Sequence, residues 1–98
     1  MHFIVSWDIQ SEDKEWDKIN SQLLECLEGY SWVRPLSTFY IVRVPSQEEW
    51  EGVKENLQAV AESSTAKTYF VISPLMYGGQ YDGWLPKTAW SKIRERTA

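Results

Sequence analysis

Residues 3–9 read FIVSWDI, and this stretch decides how the rest of the chain can be arranged. Five of its seven side chains are aromatic or β-branched and apolar. A nearly continuous apolar run of this kind is typical of a strand in the middle of a sheet that is covered on at least one face. The sequence therefore predicts a central strand over residues 3–9, with Asp8 at its C-terminal end.

Two amphipathic helices are predicted on either side of a second strand region. The first spans about 14–28 and carries apolar side chains at helical spacing: Trp16, Ile19, Leu23 and Leu27. The second begins at a capping box, in which Ser46 and Glu49 each satisfy a backbone donor of the first turn. It ends near 62–64, and its apolar stripe consists of Trp50, Val53, Leu57 and Val60. Each helix thus has one face to bury.

Three further strands are predicted from residues that favour β-structure. Residues 30–44 are rich in aromatic and β-branched side chains but contain Pro35, which lacks a backbone donor and marks an edge, a bulge or a turn. We therefore predict two strands joined tightly near 35–37. A last strand is predicted over 68–75, which contains TYFVI.

The end of the chain is predicted to be a loop followed by a short helix. Residues 76–83 read MYGGQYDG, and three glycines in eight residues indicate a loop. Pro86 fits the first turn of a terminal helix. The aromatic side chains of this glycine-rich loop could stack on nucleic-acid bases or lie over an open sheet face, and we favour the second role: Tyr77, Tyr81 and Trp84.

The order of elements predicts an α+β, two-layer ferredoxin-like sandwich with βαββαβ topology. Two helices can cover only one face of a four-stranded antiparallel sheet, so we expect strand order 4-1-3-2 with both helices on one face. We expect the helix stripes to pack on Ile4, Ile41 and Val71. The 98 residues suit a single domain, with a core over 1–75 and a loop and tail over 76–98. Dimerisation is the simplest way to cover the second face.

Composition excludes several classes of function. The formal net charge is −4, which argues against tight non-specific binding of nucleic acid but not against binding at one local surface. A single cysteine, Cys26, supports neither a disulfide framework nor a zinc site. No organic cofactor is expected, because no phosphate-binding or nucleophile motif is present. Without a signal peptide or an apolar span, we expect a cytoplasmic protein with no membrane partner.

Two segments resemble one known family. Residues 3–9 look like the opening strand of the small CRISPR-associated Cas-two proteins and their stand-alone SinR-like relatives, which begin with an apolar strand ending in an aromatic-Asp-hydrophobic triplet. Residues 32–42, WVRPLSTFYIV, are similar to the second and third strands of that family, in which a serine precedes an aromatic strand. Both segments occur in the order and at the spacing that the family shows.

The resemblance implies a ferredoxin-like homodimer with a metal site on its axis. In the nuclease members, the aspartate at the end of the first strand of each subunit holds a divalent cation, and Asp8 matches that position. Asp8 is thus the implied catalytic and metal-binding residue, with Mg²⁺ or Mn²⁺ as the implied ion. The chain departs from these members in its acidity and in the loop that follows, QSED, which has no basic residue. The alternative is that Asp8 only caps this loop.

Candidate nucleic-acid contacts are basic or hydroxyl side chains, since a guanidinium offers two parallel donors to a phosphate. They are Arg34, Ser37, Arg43, Lys87, Lys92 and Arg94. Each has a structural alternative. The two strand arginines could pair with glutamates, Ser37 and Thr38 could simply form a turn, and the terminal basic group, which includes Arg96, could stabilise a helix C-terminus.

The sequence thus predicts a dimeric, nucleic-acid-associated protein of the Cas-two-like or SinR-like kind. If it is an enzyme, the expected activity is metal-dependent phosphodiester cleavage at paired Asp8 carboxylates. One alternative is a non-catalytic dimeric interaction module, antitoxin-like or an assembly protein, that binds a protein partner. Another is a small protein that binds an apolar ligand in an aromatic cleft.

Overall fold

Seven helices and strands follow one another in the predicted order. A computed structural model describes residues 1–98 except for the side chain of Asp13. The elements are β1 (His2–Gln10), α1 (Asp13–Glu25), β2 (Ser31–Leu36), β3 (Phe39–Arg43), α2 (Gln47–Ser63), β4 (Lys67–Ile72) and α3 (Lys87–Thr97). None of these three helices is long and apolar enough to cross a membrane.

The four strands form one antiparallel sheet in the order β2-β3-β1-β4. β1 pairs with β3 on one side, where Ile4 lies opposite Ile41, and with β4 on the other, where Ser6 lies opposite Val71. The apolar first strand is therefore central, as its sequence predicts. The predicted order 4-1-3-2 and the ferredoxin-like α+β fold are confirmed.

The core lies between α1, α2 and one face of the sheet. Alternate residues of each strand point to the same face, so β1 contributes every second side chain: Phe3, Val5, Trp7 and Ile9. β3 and the residue after it contribute Tyr40, Val42 and Val44. The helices and the turn after α1, which contains Leu27, supply further buried side chains: Ile19, Leu23, Leu27, Val53 and Leu57. Both connecting helices thus lie on one face, as predicted.

The predicted sheet partners of the helix stripes were wrong. Ile4, Ile41 and Val71 lie on the opposite face of the sheet, and the Val71 side chain is 74% exposed. For β1 the alternation selects the other face, since Ile4 is the one apolar residue in its phase and every residue of the opposite phase within β1 is apolar: Phe3, Val5, Trp7 and Ile9. In β3 and β4 apolar residues occupy both phases, so the pattern of these strands alone does not select a face. The prediction that Trp16 belongs to the core was also wrong, because Trp16 is exposed on α1.

Aromatic rings cross the helix-facing side of the sheet in a row. The Trp7 ring stacks on Tyr40 with centroids 4.4 Å apart, and Trp32 meets Tyr40 edge-on at 5.5 Å. The indole Nε1 of Trp7 donates a hydrogen bond to Asn20 Oδ1 at 3.0 Å. These contacts connect an edge strand, the centre of the sheet and α1, so each fixes the position of the next.

Local signals in the sequence act largely as predicted. Ser46 Oγ accepts a hydrogen bond from the Glu49 backbone N–H at 3.2 Å, which forms half of the capping box at the start of α2. The carboxylate of Glu49 instead accepts a hydrogen bond from the Tyr30 hydroxyl. This bond favours the neutral phenol and raises the pKa of Tyr30. Pro35 lies in the edge strand β2, where the register shifts between Val33 and Leu36.

The C-terminal helix forms a partial third layer. α3 packs against β2 and β3. Its Ile93 is buried and shares a groove with Phe39 and Ile41, which lie on the sheet face away from α1 and α2. The sequence predicted a loop and tail here but not their position. The sheet is therefore fully covered on one face and half covered on the other.

The assignment of the core can be tested by truncating Leu57. Leu57 is fully buried, so Leu57→Ala should lower the free energy of unfolding by about 2–5 kcal/mol, the usual cost of such a cavity. Gln58→Ala on the exposed side of α2 is the matched control, and a change within about 0.5 kcal/mol is expected for it. Urea denaturation measures both values, and equal losses would contradict the assignment.

Candidate functional site

The face of the sheet that lies away from α1 and α2 has one half that is covered, the closed half, and one half that is exposed, the open half. In the closed half, the glycine-rich loop and α3 cover the start of β1 and the strands β2 and β3, so that His2 is only 1% exposed. In the open half, β1 and β4 continue without a cover, and Tyr69 is 56% exposed. We call the open half the open sheet patch and define it by Ser6, Asp8, Thr38, Tyr69 and Val71, which line one shallow hollow of about 310 Å³.

Asp8 lies in the middle of the open sheet patch. It is paired in register with Tyr69 of β4, and Ser6, two residues before it on the same face, is paired with Val71. The Asp8 side chain is exposed. Among the side chains and backbone groups that the structure describes, none donates a hydrogen bond to its carboxylate, so Asp8 does not cap the loop that follows. The carboxylate is free to bind a ligand.

One copy of the chain offers a small set of metal ligands at this position. Within the described side chains, no three carboxylate, imidazole or thiol groups lie close enough to hold a metal ion. Asp8 supplies one carboxylate, and the hydroxyls of Ser6 and Thr38 line the same hollow. Mg²⁺ in proteins is usually held by one or two carboxylates together with water and substrate oxygens. A second copy facing this patch would supply the second carboxylate, so the donor set fits a shared site.

The remaining predicted site residues lie in two separate places. Ser37 is exposed in the turn between β2 and β3, directly before Thr38 of the open sheet patch. Arg43 pairs with His2, six residues from Asp8 along β1, a distance of about 20 Å at the usual rise of a strand. Its Nη1 donates to the backbone carbonyl of Glu95 at 3.3 Å. The structure therefore does not bring Arg43 to Asp8.

The other predicted cations are exposed at the surface. Arg34 lies on the edge strand β2, and three basic residues of α3 are exposed: Lys87, Lys92 and Arg94. Arg94 donates to Ser91 Oγ at 3.3 Å within the same helix. Together with Arg43, the α3 residues belong to the closed half. The predicted nucleic-acid contacts thus group mainly around α3 and away from the predicted metal site.

His2 fixes the glycine-rich loop over the closed half. Its Nε2 lies 2.7 Å from the Tyr81 hydroxyl, and the two rings meet edge-on at 5.7 Å. The backbone of His2 exchanges two hydrogen bonds with Met76, of 3.0 and 2.9 Å. The prediction that this loop covers a sheet face with its aromatic side chains is thus confirmed for Tyr81. It is wrong, within this copy of the chain, for the exposed Tyr77 and Trp84.

The imidazole of His2 occupies a site that favours its neutral form. Burial, and then the positive charge of the N-terminus, lower the pKa of His2. Nδ1 is buried and has no hydrogen-bond partner among the described groups. Sequence reasoning missed this role because the predicted first strand begins at Phe3 and leaves His2 outside it. The available signal was its position two residues before Ile4, in the phase of β1 that faces away from α1 and α2.

Cys26 has no catalytic environment. Its Sγ donates to the Gln22 carbonyl oxygen at 3.4 Å, and the residue packs against the core cluster. Burial, and then the negative charge of Glu25, raise the pKa of the Cys26 thiol. A thiol with a raised pKa is a poor nucleophile, so Cys26 acts as a packing residue.

Comparison with known proteins adds no assignment. No family model matches the chain. No functionally described protein is similar to it at a significant level. The likeness of residues 3–9 and 32–42 to the Cas-two-like and SinR-like family therefore stays a prediction from those residues.

The buried imidazole predicts a loss of stability in mild acid. The unfolded chain binds a proton at His2 near pH 6.5, whereas the folded chain binds it only at lower pH. Stability is therefore fully present above about pH 6.5 and is lost as the pH falls toward the lowered pKa. We expect the free energy of unfolding to fall more between pH 7 and pH 5 in the natural protein than in His2→Gln, which can still bond to Tyr81.

The control for this experiment is Tyr81→Phe, which removes the hydrogen bond but keeps the titrating ring. It should be less stable at both pH values while retaining the pH dependence. Urea denaturation at the two pH values measures all three proteins. If His2→Gln shows the same pH dependence as the natural protein, the imidazole is not the group responsible.

Proposed function

We propose that the protein is a homodimer that binds or acts on nucleic acid, and that its two copies pair through the open sheet patch. One observation carries the proposal. Asp8 lies on the uncovered half of the sheet opposite the exposed Tyr69 of β4, and the exposed Val71 is two residues further along that strand. Contiguous exposed apolar side chains of this kind mark interaction surfaces. The resemblance to Cas-two-like and SinR-like proteins supports the same surface, because it places Asp8 near a dimer axis.

A two-fold pairing through this surface would bring the two Asp8 carboxylates toward each other, since a two-fold interface presents the same patch from both copies. Two nearby carboxylates repel each other, and a divalent cation between them would offset that repulsion. Such a cation, when bound, supplies a Lewis acid and an activated water for phosphodiester cleavage. The Ser6 and Thr38 hydroxyls of the same hollow can donate hydrogen bonds to a phosphate oxygen.

A non-catalytic interaction module is the second candidate, and one observation favours it. Each copy contributes only one carboxylate to the open sheet patch, and no imidazole or second acid among the described side chains lines its hollow. In this alternative the dimer and the apolar surface are retained, but Asp8 is only a polar group within the interface. Dimerisation and metal binding therefore need separate tests.

The dimer is tested by placing a charge in the patch. Val71→Glu should shift the protein from dimer to monomer, because two like charges would face each other across the axis beside Asp8. Gln58→Glu adds the same charge on exposed α2 and should leave the dimer intact. Sedimentation velocity measures both variants. If the natural protein sediments as a monomer, a shared Asp8 site does not form.

The metal site is tested by thermal melting with and without Mg²⁺ or Mn²⁺. Ligand binding to the folded state alone should add about 2.7 kcal/mol at a hundredfold excess over Kd. Asp8→Asn should abolish this gain and keep the dimer, whereas Asp17→Asn on α1 should keep both. Metal-stimulated cleavage of an oligonucleotide should likewise disappear in Asp8→Ala. A dimer that is indifferent to metal would support the interaction module instead.

A further inference from the structure

A second apolar surface lies where the glycine-rich loop meets α3. It is a groove of about 260 Å³ between the loop, the edge strand and the helix, and its apolar walls include Leu36, Phe39, Trp84, Leu85 and Trp90. Pockets for drug-sized ligands usually have volumes of about 300–1,000 Å³. The groove is smaller and open to solvent, which suits one planar group rather than a whole small molecule.

Trp84 stands at the rim of this groove with its ring in solvent. It is 99% exposed, whereas Trp90 of α3 is partly buried beneath the loop. Gly83 has a φ of +155°, and a Cβ at this position would lie 3.8 Å from Cη2 of Trp90, an ordinary van der Waals distance. Leu36 on the other wall is 56% exposed. The loop therefore presents an unpartnered indole face next to a contiguous apolar surface.

The charge around the groove differs from that of the rest of the chain. Residues 84–98 carry four basic side chains and one acidic side chain, a net charge of +3. Residues 1–83 carry six basic and thirteen acidic side chains, a net charge of −7. Lys87 and Arg94 are seven residues apart on α3, so they lie on the same side of the helix. Arg94 lines a cavity adjoining the groove, together with Trp90. Arg94 therefore lies beside the aromatic platform, and Lys87 lies on the same side of α3, three residues along the chain from Trp84.

We propose that this groove binds single-stranded nucleic acid, with one base stacked on Trp84 and the adjacent phosphates held by Lys87 and Arg94. Aromatic platforms beside cationic side chains bind single strands in this way, whereas the bases of a duplex stay stacked inside it. The inference rests on the proposed association with nucleic acid and names the surface and the form of nucleic acid. The groove is separate from the open sheet patch.

Substitution of Asp82 tests whether the ligand is negatively charged. It lines the same groove as Trp84 and Leu85 and is the acidic side chain of the loop. A polyanion in the groove would be repelled by it, so Asp82→Asn should strengthen binding. A basic or zwitterionic ligand would not bind more tightly to this variant.

The experiment measures fluorescence anisotropy of labelled oligomers of about 12 nucleotides, within the range of single-strand site sizes. The probes are single-stranded DNA, single-stranded RNA of the same sequence, and the DNA duplex. We expect the single strands to bind more tightly than the duplex. Trp84→Ala should weaken binding about 5- to 100-fold, the usual effect of losing one stacked base. Trp84→Phe should retain most of the affinity, and Trp16→Ala on α1 is the matched control, with unchanged binding.

The contribution of Lys87 and Arg94 to binding is tested by the dependence of affinity on salt concentration. The double variant Lys87→Ala, Arg94→Ala should reduce the slope of log K against log salt concentration by about 0.7 per removed phosphate contact. Lys18→Ala on α1 should leave the slope unchanged. Because Trp84 is fully exposed, Trp84→Ala should melt at the same temperature as the natural protein, so that a loss of binding is not a loss of folding.

The outcomes separate this inference from the proposed function. If oligomers bind but Trp84→Ala binds equally well, the groove is not the site and the association with nucleic acid stands. If the natural protein binds no oligomer, both this inference and the nucleic-acid part of the proposed function are wrong. If Trp84→Ala changes the sedimentation of the protein and no oligomer binds, the groove is instead a contact between copies of the chain.

Discussion

β1 is hydrogen-bonded to β3 over its first half and to β4 over its second half, and the rest of the structure depends on covering the sheet that it holds together. The backbone of this strand is satisfied by β3 on one side and β4 on the other. The two faces of the sheet are then covered by two separate parts of the chain. The first cover is formed by α1 and α2, which pack on Phe3, Val5 and Trp7, and this layer contains the main core.

The C-terminal segment covers the second face of the sheet only in part, and the two proposed sites lie where this cover ends. The glycine-rich loop and α3 extend over β2, β3 and the beginning of β1, where the His2–Tyr81 contact holds the loop in place. They do not reach β4. The remaining surface contains Asp8 beside apolar neighbours, and the boundary of the cover forms the groove at Trp84. Both proposed sites thus follow from the length and path of one C-terminal segment.

The sequence predicted the order of elements because each carries a local signal: the apolar run of β1, the one-sided stripes of the helices, and Pro35 at the irregular edge strand. It did not predict which phase of β3 and β4 meets the helices, because both phases of these strands are apolar. For β1 the alternation does identify the helix-facing phase: Phe3, Val5, Trp7 and Ile9. The sequence did not predict how β3 and β4 are turned relative to it. Nor did it predict the position of α3. The apolar side chains of Trp90 and Ile93 indicate that this helix is buried on one side, but not on which face of the sheet it packs.

The candidate site shows the same division between local and tertiary information. Asp8 could be singled out from its place at the end of an apolar strand, and its exposure agrees with that choice. Its neighbours Tyr69 and Val71 could not be named, because their exposure depends on where the C-terminal segment stops. The role of His2 depends on a partner 79 residues away in the chain, Tyr81, and no local pattern encodes such a contact.

The separation of charge gives the molecule an electric polarity perpendicular to its sheet. Nine of the fourteen acidic residues lie in α1 and α2, on one face, while α3 carries four basic residues on the opposite face. A protein with a pI of about 4.9 can therefore still present a cationic side to a polyanion, because the local field rather than the total charge orients two molecules as they approach. Encounters with such a surface would begin from the α3 side, and the acidic helical layer would face away into solvent.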